Sequence, residues 1–201
     1  MWIDPSAMES RHLHHFLISV IVPRPIAFIS TIGQNGSHNV SPFSYFNLIS
    51  SRPPLVGISV NRRANGPKDT ARNIRDVGDF VVNVVDEALS ARSVQASGEW
   101  PEDVDEFALT GLTPIPSEKV KAPRVGESPV SLECKLERIV DLGSTDFVVG
   151  EVVWAHVRDD VLREGRVDPT LLRPVGRLGG DFYTIVRDVL SMPRPRVARP
   201  S

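Results

Sequence analysis

The chain has 201 residues, about the length of one domain with short extensions, and its 41% hydrophobic and 24% charged residues are typical of a globular protein rather than a disordered or fibrous one. Lys and Arg number 23 against 25 Asp and Glu, so the formal charge of −2 supplies no net positive field that would favour nucleic acid. A lone cysteine excludes an internal disulfide, and the sequence shows neither a secretion signal nor a run of about 20 apolar residues that would span a membrane. These features predict a cytoplasmic protein whose partners are neither nucleic acid nor a membrane.

The first predicted element is a short N-terminal helix. Apolar residues recur at helical spacing between Leu13 and Val20, and Pro23 ends the pattern, which places the helix within residues 8–22. Three histidines in this stretch lack cysteine or carboxylate partners at metal-ligand spacing, which favours a polar helix face over a metal site. They are His12, His14 and His15. We therefore predict no metal.

The middle of the chain is predicted to be mainly β. A strand over residues 26–31 is followed by a turn-forming sequence at residues 33–36 and by a second strand. Further strands are predicted over residues 55–61, 80–85, 131–140 and 147–157. Because the strands come in pairs with short connections rather than alternating with helices, they favour an antiparallel, closed or partly closed barrel.

Two helices are predicted between the strands. One covers residues 69–77, with Asp69 as its N-cap and Gly78 as its C-terminal stop, and the other covers residues 86–97. Residues 99–106 are acidic, which favours a solvated surface loop over a cation-binding site.

The common catalytic signatures are absent from the sequence. It contains no GxSxG, GxxxxGK[ST], GxGxxG or HExxH pattern, which argues against serine hydrolases, phosphate-loop proteins and zinc proteases. Cys134 alternates in phase with Leu132 and Leu136, so a buried apolar role is favoured over a nucleophilic one.

Two segments carry groups suited to ligand binding. Residues 39–47 combine hydroxyls, amides and aromatic rings in a stretch where Pro42 breaks the strand alternation, and such a stretch suits a planar, hydrogen-bonding ligand. Residues 66–70 lie at a predicted helix start, where free N–H groups favour an anion and where Lys68 and Thr70 add direct contacts. The alternative for the second segment is that its residues only cap the helix and face solvent.

Taken in chain order, these segments resemble the flavin reductase-like family, which has the FMN-binding split-barrel fold and includes the flavoredoxins. The resemblance rests on residues 23–31, 39–47, 53–54, 68–70 with Asn73, 78–83 and 174–183. Two departures concern the wall around the flavin, since Phe28 stands where many members have tryptophan and Ser41 where many have alanine.

The resemblance implies a mainly β fold, a six-stranded antiparallel Greek-key split β-barrel with peripheral helices. It divides the chain into an N-terminal helical arm (1–22), the FMN-binding split-barrel domain (23–190) and a Pro/Arg-rich tail (191–201). It also implies a homodimer in which both subunits contribute to the FMN groove.

The family's FMN contacts, carried over residue by residue, fall in the polar segment, the next strand, the helix start and the C-terminal segment. Lys68, Thr70 and Asn73 would hold the phosphate, and Ser44 is the favoured side chain toward the ring system and ribityl chain. The full set is Asn39, Val40, Ser41, Pro42, Phe43, Ser44, Tyr45, Phe46, Ser59, Asn61, Lys68, Thr70, Asn73, Arg177, Gly180 and Tyr183. No catalytic residue is expected, because hydride transfer is chemistry of the two cofactors. His156 is a candidate contact to flavin or nicotinamide, and the alternative for it is a core or interface role.

By resemblance, the chain is expected to be an FMN-binding oxidoreductase, a NAD(P)H:flavin reductase that passes electrons to free flavin, oxygen or a partner oxygenase. Two alternatives stay open. One is a flavoredoxin-like electron carrier that NAD(P)H does not reduce directly, and the other is a non-catalytic flavin-binding module whose Arg/Pro-rich tail contacts a partner.

Overall fold

The structure, a computed structural model, describes residues 2–64, 66–101 and 104–195. Its helices are α1 (Ser10–Val20), α2 (Asp69–Val77), α3 (Ser90–Gln95), α4 (Glu106–Thr110) and α5 (Pro169–Leu172). Its strands are β1 (Arg24–Pro25), β2 (Ala27–Ile32), β3 (His38–Phe43), β4 (Phe46–Ser51), β5 (Pro54–Asn61), β6 (Asp79–Val84), β7 (Pro114–Ile115), β8 (Arg124–Val125), β9 (Val130–Asp141), β10 (Thr145–Val157), β11 (Leu162–Arg163), β12 (Arg166–Val167), β13 (Val175–Arg177) and β14 (Tyr183–Ile185). Short 3-10 turns lie at Pro5–Ala7 and Asp159–Val161.

The centre of the fold is an antiparallel sheet in the order β3-β2-β6-β9-β10-β5-β4. Strands β3 and β4 are the two ends of this order, yet only Ser44 and Tyr45 separate them in the chain. Because the three residue steps from Phe43 to Phe46 span at most about 11 Å, the sheet must curl until its two edges lie close together. The prediction of a mainly β split barrel with peripheral helices is confirmed. The main sheet has seven strands, since residues 38–51 form a strand on each side of the split.

The core consists of two apolar clusters on opposite sides of strand β2. Ala27 and Ile29 face the barrel interior, where Phe80 and Cys134 are also fully buried. Phe28, one residue out of phase, points the other way into a cluster beneath α3 and α4. The predicted burial of Cys134 is confirmed, and this burial raises the pKa of its thiol well above the usual range.

Helix α2 begins and ends as predicted, although its cap differs. Lys68, not Asp69, occupies the N-cap position, and Asp69 is the first helical residue and pairs with the Arg63 and Arg72 side chains. Gly78 ends the helix in the left-handed conformation at φ 83°.

The helix predicted over residues 86–97 is shorter in the structure, where α3 covers only Ser90–Gln95. The Asp86 carboxylate accepts the Leu89 N–H at 2.8 Å, which holds residues 86–89 in a turn ahead of the helix.

The prediction of a solvated acidic loop at residues 99–106 is wrong for Glu106. Asp105 accepts the N–H groups of Phe107 and Ala108 and so starts helix α4. Phe107 is buried in the second cluster, and this packing carries Glu106 into the interior with it.

The ends of the chain add little regular structure. No helix in the described ranges is long and apolar enough to cross a lipid bilayer. Residues 191–195 are exposed and form neither helix nor strand, and the rest of the predicted tail, residues 196–201, lies outside the described residues.

A close contact between Gly150 and Phe80 gives a stability prediction. A Cβ on Gly150 would lie 2.4 Å from Cζ of the fully buried Phe80. We expect Gly150→Ala to destabilise the fold by about 1–3 kcal/mol, the usual cost of overpacking a core. The measurement is the urea midpoint of unfolding.

The control is a double-mutant cycle with Phe80→Leu, which shortens the clashing ring. The double variant should be more stable than the sum of the two single effects predicts. Simple additivity would show that the Phe80 contact is not why position 150 is glycine.

Candidate functional site

The split between β3 and β4 opens into a cavity of about 220 Å³ between α1, the start of α2 and the small sheet β1-β13-β14. Half of the predicted FMN contacts line it. They are Pro42, Phe43, Ser44, Tyr45, Ser59, Asn61, Lys68 and Arg177. The three sequence segments that carry them are far apart in the chain and meet only because the sheet curls.

Two smaller cavities continue the groove on either side. One, of about 90 Å³, shares Phe43, Ser44 and Arg177 with the first and adds Tyr183. The other, of about 30 Å³, shares Lys68 and contains predicted contacts at the start of α2 and on β3. These are Asn39, Ser41 and Thr70.

Arg24 organises one wall of the groove. Its guanidinium donates to the carbonyls of Ile18 at 2.7 Å, Ile21 at 2.5 Å and Leu178 at 2.8 Å, and so joins the end of α1 to the segment after β13. A cation suits a helix C-terminus, where free carbonyls carry partial negative charge. The buried Nε–H of Arg24 has no acceptor among the described residues.

Lys68 stands at the entrance to α2 and lines two of the three cavities. Its ammonium lies 5.8 Å from the centre of the Phe43 ring and pairs with no carboxylate among the residues that the structure describes. Burial, helped by the charge of Arg63, lowers the pKa of Lys68. A half-buried cation at a helix start with no carboxylate at ion-pair distance among the described residues is suited to binding an anion, although the charge of Glu99 partly opposes the lowering of its pKa.

Arg177, Gly180 and Tyr183 form a third cluster. The Arg177 guanidinium stacks 4.4 Å from the centre of the Tyr183 ring, contacts its hydroxyl, and donates to the Gly180 carbonyl at 2.5 Å. Gly180 has a φ of 58°, a left-handed conformation that favours glycine and that turns the chain between β13 and β14. This hairpin presents the planar guanidinium to the groove.

Asn39, Thr70 and Asn73 belong to a buried polar network. Thr70 donates its hydroxyl to Asn39 Oδ1 at 3.0 Å, and Thr31 approaches the same oxygen at 3.3 Å. Asn73 donates to the Thr31 hydroxyl at 3.1 Å, and the Asn39 amide donates to Glu106. The Asn73 side chain is therefore engaged inside the protein.

Three other predicted residues lie apart from these cavities. Val40 is buried in the second apolar cluster, and Phe46 faces an apolar cavity of about 580 Å³ between α1 and β4. His156 lies on β10, where its Nε2 is 2.6 Å from the fully buried carboxylate of Glu133. Burial acts to raise the pKa of Glu133, but hydrogen bonds from the Glu118 and Lys119 N–H groups and from His156 together hold it below its usual value.

Sequence reasoning misses three residues of the site. Arg24 lies within the quoted segment 23–31, but its role depends on a carbonyl 154 positions away. The sequence pattern favours a polar helix face for His14, yet this residue lines the central cavity with its Nδ1 3.4 Å from the Tyr45 hydroxyl. The acidic composition around Glu106 predicts a solvated loop, and only a tertiary contact identifies this residue as part of the site.

Comparison with known proteins agrees with this geometry. A family model for the flavin reductase like domain matches residues 19–175. The chain belongs to the flavin reductase-like family. The matched range ends before Arg177, so it is the structure, rather than the family model, that places the C-terminal hairpin beside the groove.

Solved structures of similar proteins show the same fold. Nitrilotriacetate monooxygenase component B from Bacillus cereus is 34% identical, with a TM-score of 0.93 over 96% of this chain and 98% of that one. The 2-nitrobenzoate 2-nitroreductase of Pseudomonas fluorescens is 32% identical, with a TM-score of 0.90 over 97% and 96%. Flavoredoxin of Desulfovibrio vulgaris is 25% identical, with a TM-score of 0.80 over 96% and 97%.

The contacts of Arg24 give a prediction about the docking of α1. Arg24→Lys keeps the charge, but a single ammonium cannot reproduce the fork of donors that reaches two segments. We expect a loss of about 1.5–3 kcal/mol of stability, the usual worth of hydrogen bonds to a charged group. Thermal denaturation and limited proteolysis within α1 measure the effect.

Arg11→Lys on the exposed face of the same helix is the matched control and should change neither readout. Equal stability and equal proteolysis of the two variants would show that Arg24 does not anchor α1.

Proposed function

We propose that this protein is an FMN-binding oxidoreductase that takes reducing equivalents from NAD(P)H and passes them to free flavin, oxygen or a partner oxygenase. One observation carries the proposal. Three cations converge on the groove, and none of them pairs with a carboxylate among the described residues. They are Arg24, Lys68 and Arg177. Such a groove favours a ligand that combines a planar ring with an anionic group, as FMN does.

The residues present fit FMN. The buried Nε–H of Arg24 lacks an acceptor among the described residues, and the ammonium of Lys68 has no carboxylate at ion-pair distance there. Lys68, together with the N–H groups at the start of α2 and the hydroxyl of Thr70, would hold the phosphate. Ser44, Ser59 and the stretch from Pro42 to Tyr45 would hold the ribityl chain and the ring.

The chemistry of the reaction would come from the cofactors. When bound, FMN supplies a ring that accepts hydride from a nicotinamide. The chain's own task is to hold the two rings in register and to exclude water, which needs alignment rather than an acid or a base. Arg177, stacked on Tyr183 at the mouth of the groove, is suited to orienting an anionic or planar donor.

The electron acceptor is proposed from the known structures that this protein resembles. A monooxygenase component B is among them, which supports a partner oxygenase as the acceptor. Flavoredoxin is among them too, and it supports the second candidate, an electron carrier that another protein reduces.

We also propose that the functional unit is a homodimer with the FMN groove completed by the second subunit. The apolar cavity beside the groove lies open between α1 and β4, and the exposed side chains of Leu17 and Ile21 line it. Val20 on α1 and Leu48 and Ile49 on β4 are further exposed apolar side chains of the same two elements. An exposed apolar surface of this kind, next to a ligand groove, is typical of a subunit interface.

The electron donor is tested by anaerobic titration of FMN-loaded protein with NADH and then NADPH. We expect rapid loss of the oxidised-flavin absorbance band with one of them. Slow or no reduction of tightly bound FMN would favour the electron-carrier candidate. Failure of the protein to bind FMN would contradict the proposed function.

The phosphate site is tested by Lys68→Met, which keeps the length and apolar stem of the side chain. FMN affinity should fall by about 1.5–3 kcal/mol, or roughly 10- to 100-fold, while riboflavin, which lacks the phosphate, should bind as before. Lys135→Met on exposed β9 is the control. An equal loss for both flavins would contradict the assignment.

The interface is tested by placing a charge on β4. Leu48→Glu should convert the dimer to a monomer in sedimentation experiments and weaken FMN binding, because an unpaired carboxylate is costly to bury. Leu48 is 61% exposed, and Leu142, which is 60% exposed in the β9–β10 turn, provides a matched Leu142→Glu control. A folded, FMN-loaded monomer of the unmodified protein would contradict the shared groove.

A further inference from the structure

We propose that Glu106 is a positioning residue of the phosphate end of the groove, and that its negative charge limits phosphate affinity there until it takes up a proton. This inference rests on the proposed function, because it takes the site beside Lys68 and Thr70 to be the phosphate site. It assigns a role to a residue whose sequence context indicates only a solvated acidic loop.

The contacts of Glu106 support the positioning role. Its two carboxylate oxygens lie 3.0 and 3.1 Å from the Asn39 amide nitrogen, and one of them is 3.4 Å from the Val40 nitrogen. An ionised carboxylate only accepts hydrogen bonds, so Asn39 must turn its NH₂ toward Glu106. The Asn39 carbonyl then faces the Thr70 hydroxyl at 3.0 Å. Glu106 thus sets the orientation of a group that touches the helix start.

The charge of Glu106 is met by neutral hydrogen-bond donors rather than by a cation among the described residues. Glu106 is buried and has no cation at ion-pair distance among the described residues, and its own N–H, the Val40 N–H at 3.4 Å and the Asn39 amide serve its two oxygens. Burial is the largest effect and raises the pKa of the Glu106 carboxyl, although its hydrogen bonds oppose the shift. This carboxylate lines the same small cavity as Lys68 and Thr70.

Other charged groups face this cavity from each neighbouring element. Asp69 on α2 pairs with Arg63 and Arg72, and its charge also raises the pKa of Glu106. The set that faces or adjoins Glu106 is Arg63, Lys68, Asp69, Glu99 and Asp105, with His38 against the ring of Phe107. Arg63 and Arg72 offset the charge of Asp69, which leaves Glu99, Asp105 and an ionised Glu106 beside Lys68, so an arriving phosphate meets less negative charge when Glu106 is neutral.

The sign of the pH dependence follows from linkage. Phosphate binds better to the site with neutral Glu106, so bound phosphate must raise the pKa of Glu106 by the same free energy. The effect of Glu106 on FMN affinity is therefore largest at high pH, where the carboxyl is charged, and it diminishes as the pH falls and the carboxyl takes up a proton. Riboflavin, without phosphate, should show no such effect.

The test compares the FMN affinities of the full-length protein and of Glu106→Gln from pH 5 to pH 8. The substituted amide is neutral and still offers an oxygen to Asn39, so the Glu106→Gln variant mimics the protonated residue. We expect the variant to bind FMN about three- to tenfold more tightly at pH 8, with a smaller advantage as the pH falls and Glu106 takes up a proton, and with riboflavin affinity unchanged throughout. Taking the ratio of the two proteins cancels the titration of the FMN phosphate and of Lys68.

Glu118→Gln, at an exposed carboxylate, is the matched control and should show no change at any pH. Equal or weaker FMN binding by Glu106→Gln at pH 8 would overturn the inference, as would a parallel change for riboflavin. Lys68→Met separates the two proposals. If that variant loses FMN selectively while Glu106→Gln changes nothing, the phosphate site stands and only the role of Glu106 fails.

A second measurement covers the case in which Glu106→Gln does not fold. The carboxyl carbons of glutamate in the unmodified protein are followed by NMR during pH titrations in the free, riboflavin-bound and FMN-bound states. The Glu106 pKa should be higher in the FMN-bound state than in the free state, and riboflavin should leave it unchanged. An unchanged value, or the same rise with riboflavin, would overturn the inference.

Discussion

The groove depends on positive charges that are held by neutral groups. Arg24 is fixed by three backbone carbonyls, Arg177 by a carbonyl and an aromatic ring, and Lys68 lies near the ring of Phe43. Carbonyl dipoles and ring faces orient a cation without cancelling its charge. Each of these cations has given up part of its hydration, and an anionic ligand would restore the lost electrostatic stabilisation. The other residues that line the groove lie around these three partly desolvated cations.

The curl of the main sheet explains why the cations meet. Strands β3 and β4 lie at opposite ends of the sheet order, and the two residues that join them hold the edges together. Lys68 follows β5, which neighbours β4, while Arg24 and Arg177 face each other across the β1–β13 pair. The polar segment 39–47 thus connects the two edges of the split and also forms a wall of the groove. Because the same curl of the sheet closes the barrel core and brings the three cations together, folding of the barrel also forms the site.

Local sequence signals were sufficient for part of this structure. Helix α2 and its Gly78 stop depend on neighbouring residues, and the long β9–β10 pair follows from alternation and one turn, so both were predictable. Half of the expected FMN contacts line the central cavity because the family's motifs lie on the strands that form it. The roles of Arg24 and Glu106 were not predictable, because each is defined by partners far along the chain. The acidic composition of residues 99–106 was misleading, since the burial of Phe107 decides where Glu106 lies.

The network behind the helix start has a spare donor, and this bears on how Thr70 would serve a ligand. In the structure the Asn39 carbonyl oxygen receives both the Thr70 hydroxyl, at 3.0 Å, and the Thr31 hydroxyl, at 3.3 Å. A carbonyl oxygen has two lone pairs but is satisfied by one hydrogen bond. If Thr70 turns its proton toward a phosphate, Thr31 still satisfies Asn39, and Asn73 still donates to Thr31. The buried polar groups therefore stay paired while one hydroxyl changes partner, so ligand binding would not leave an unsatisfied donor or acceptor in the interior.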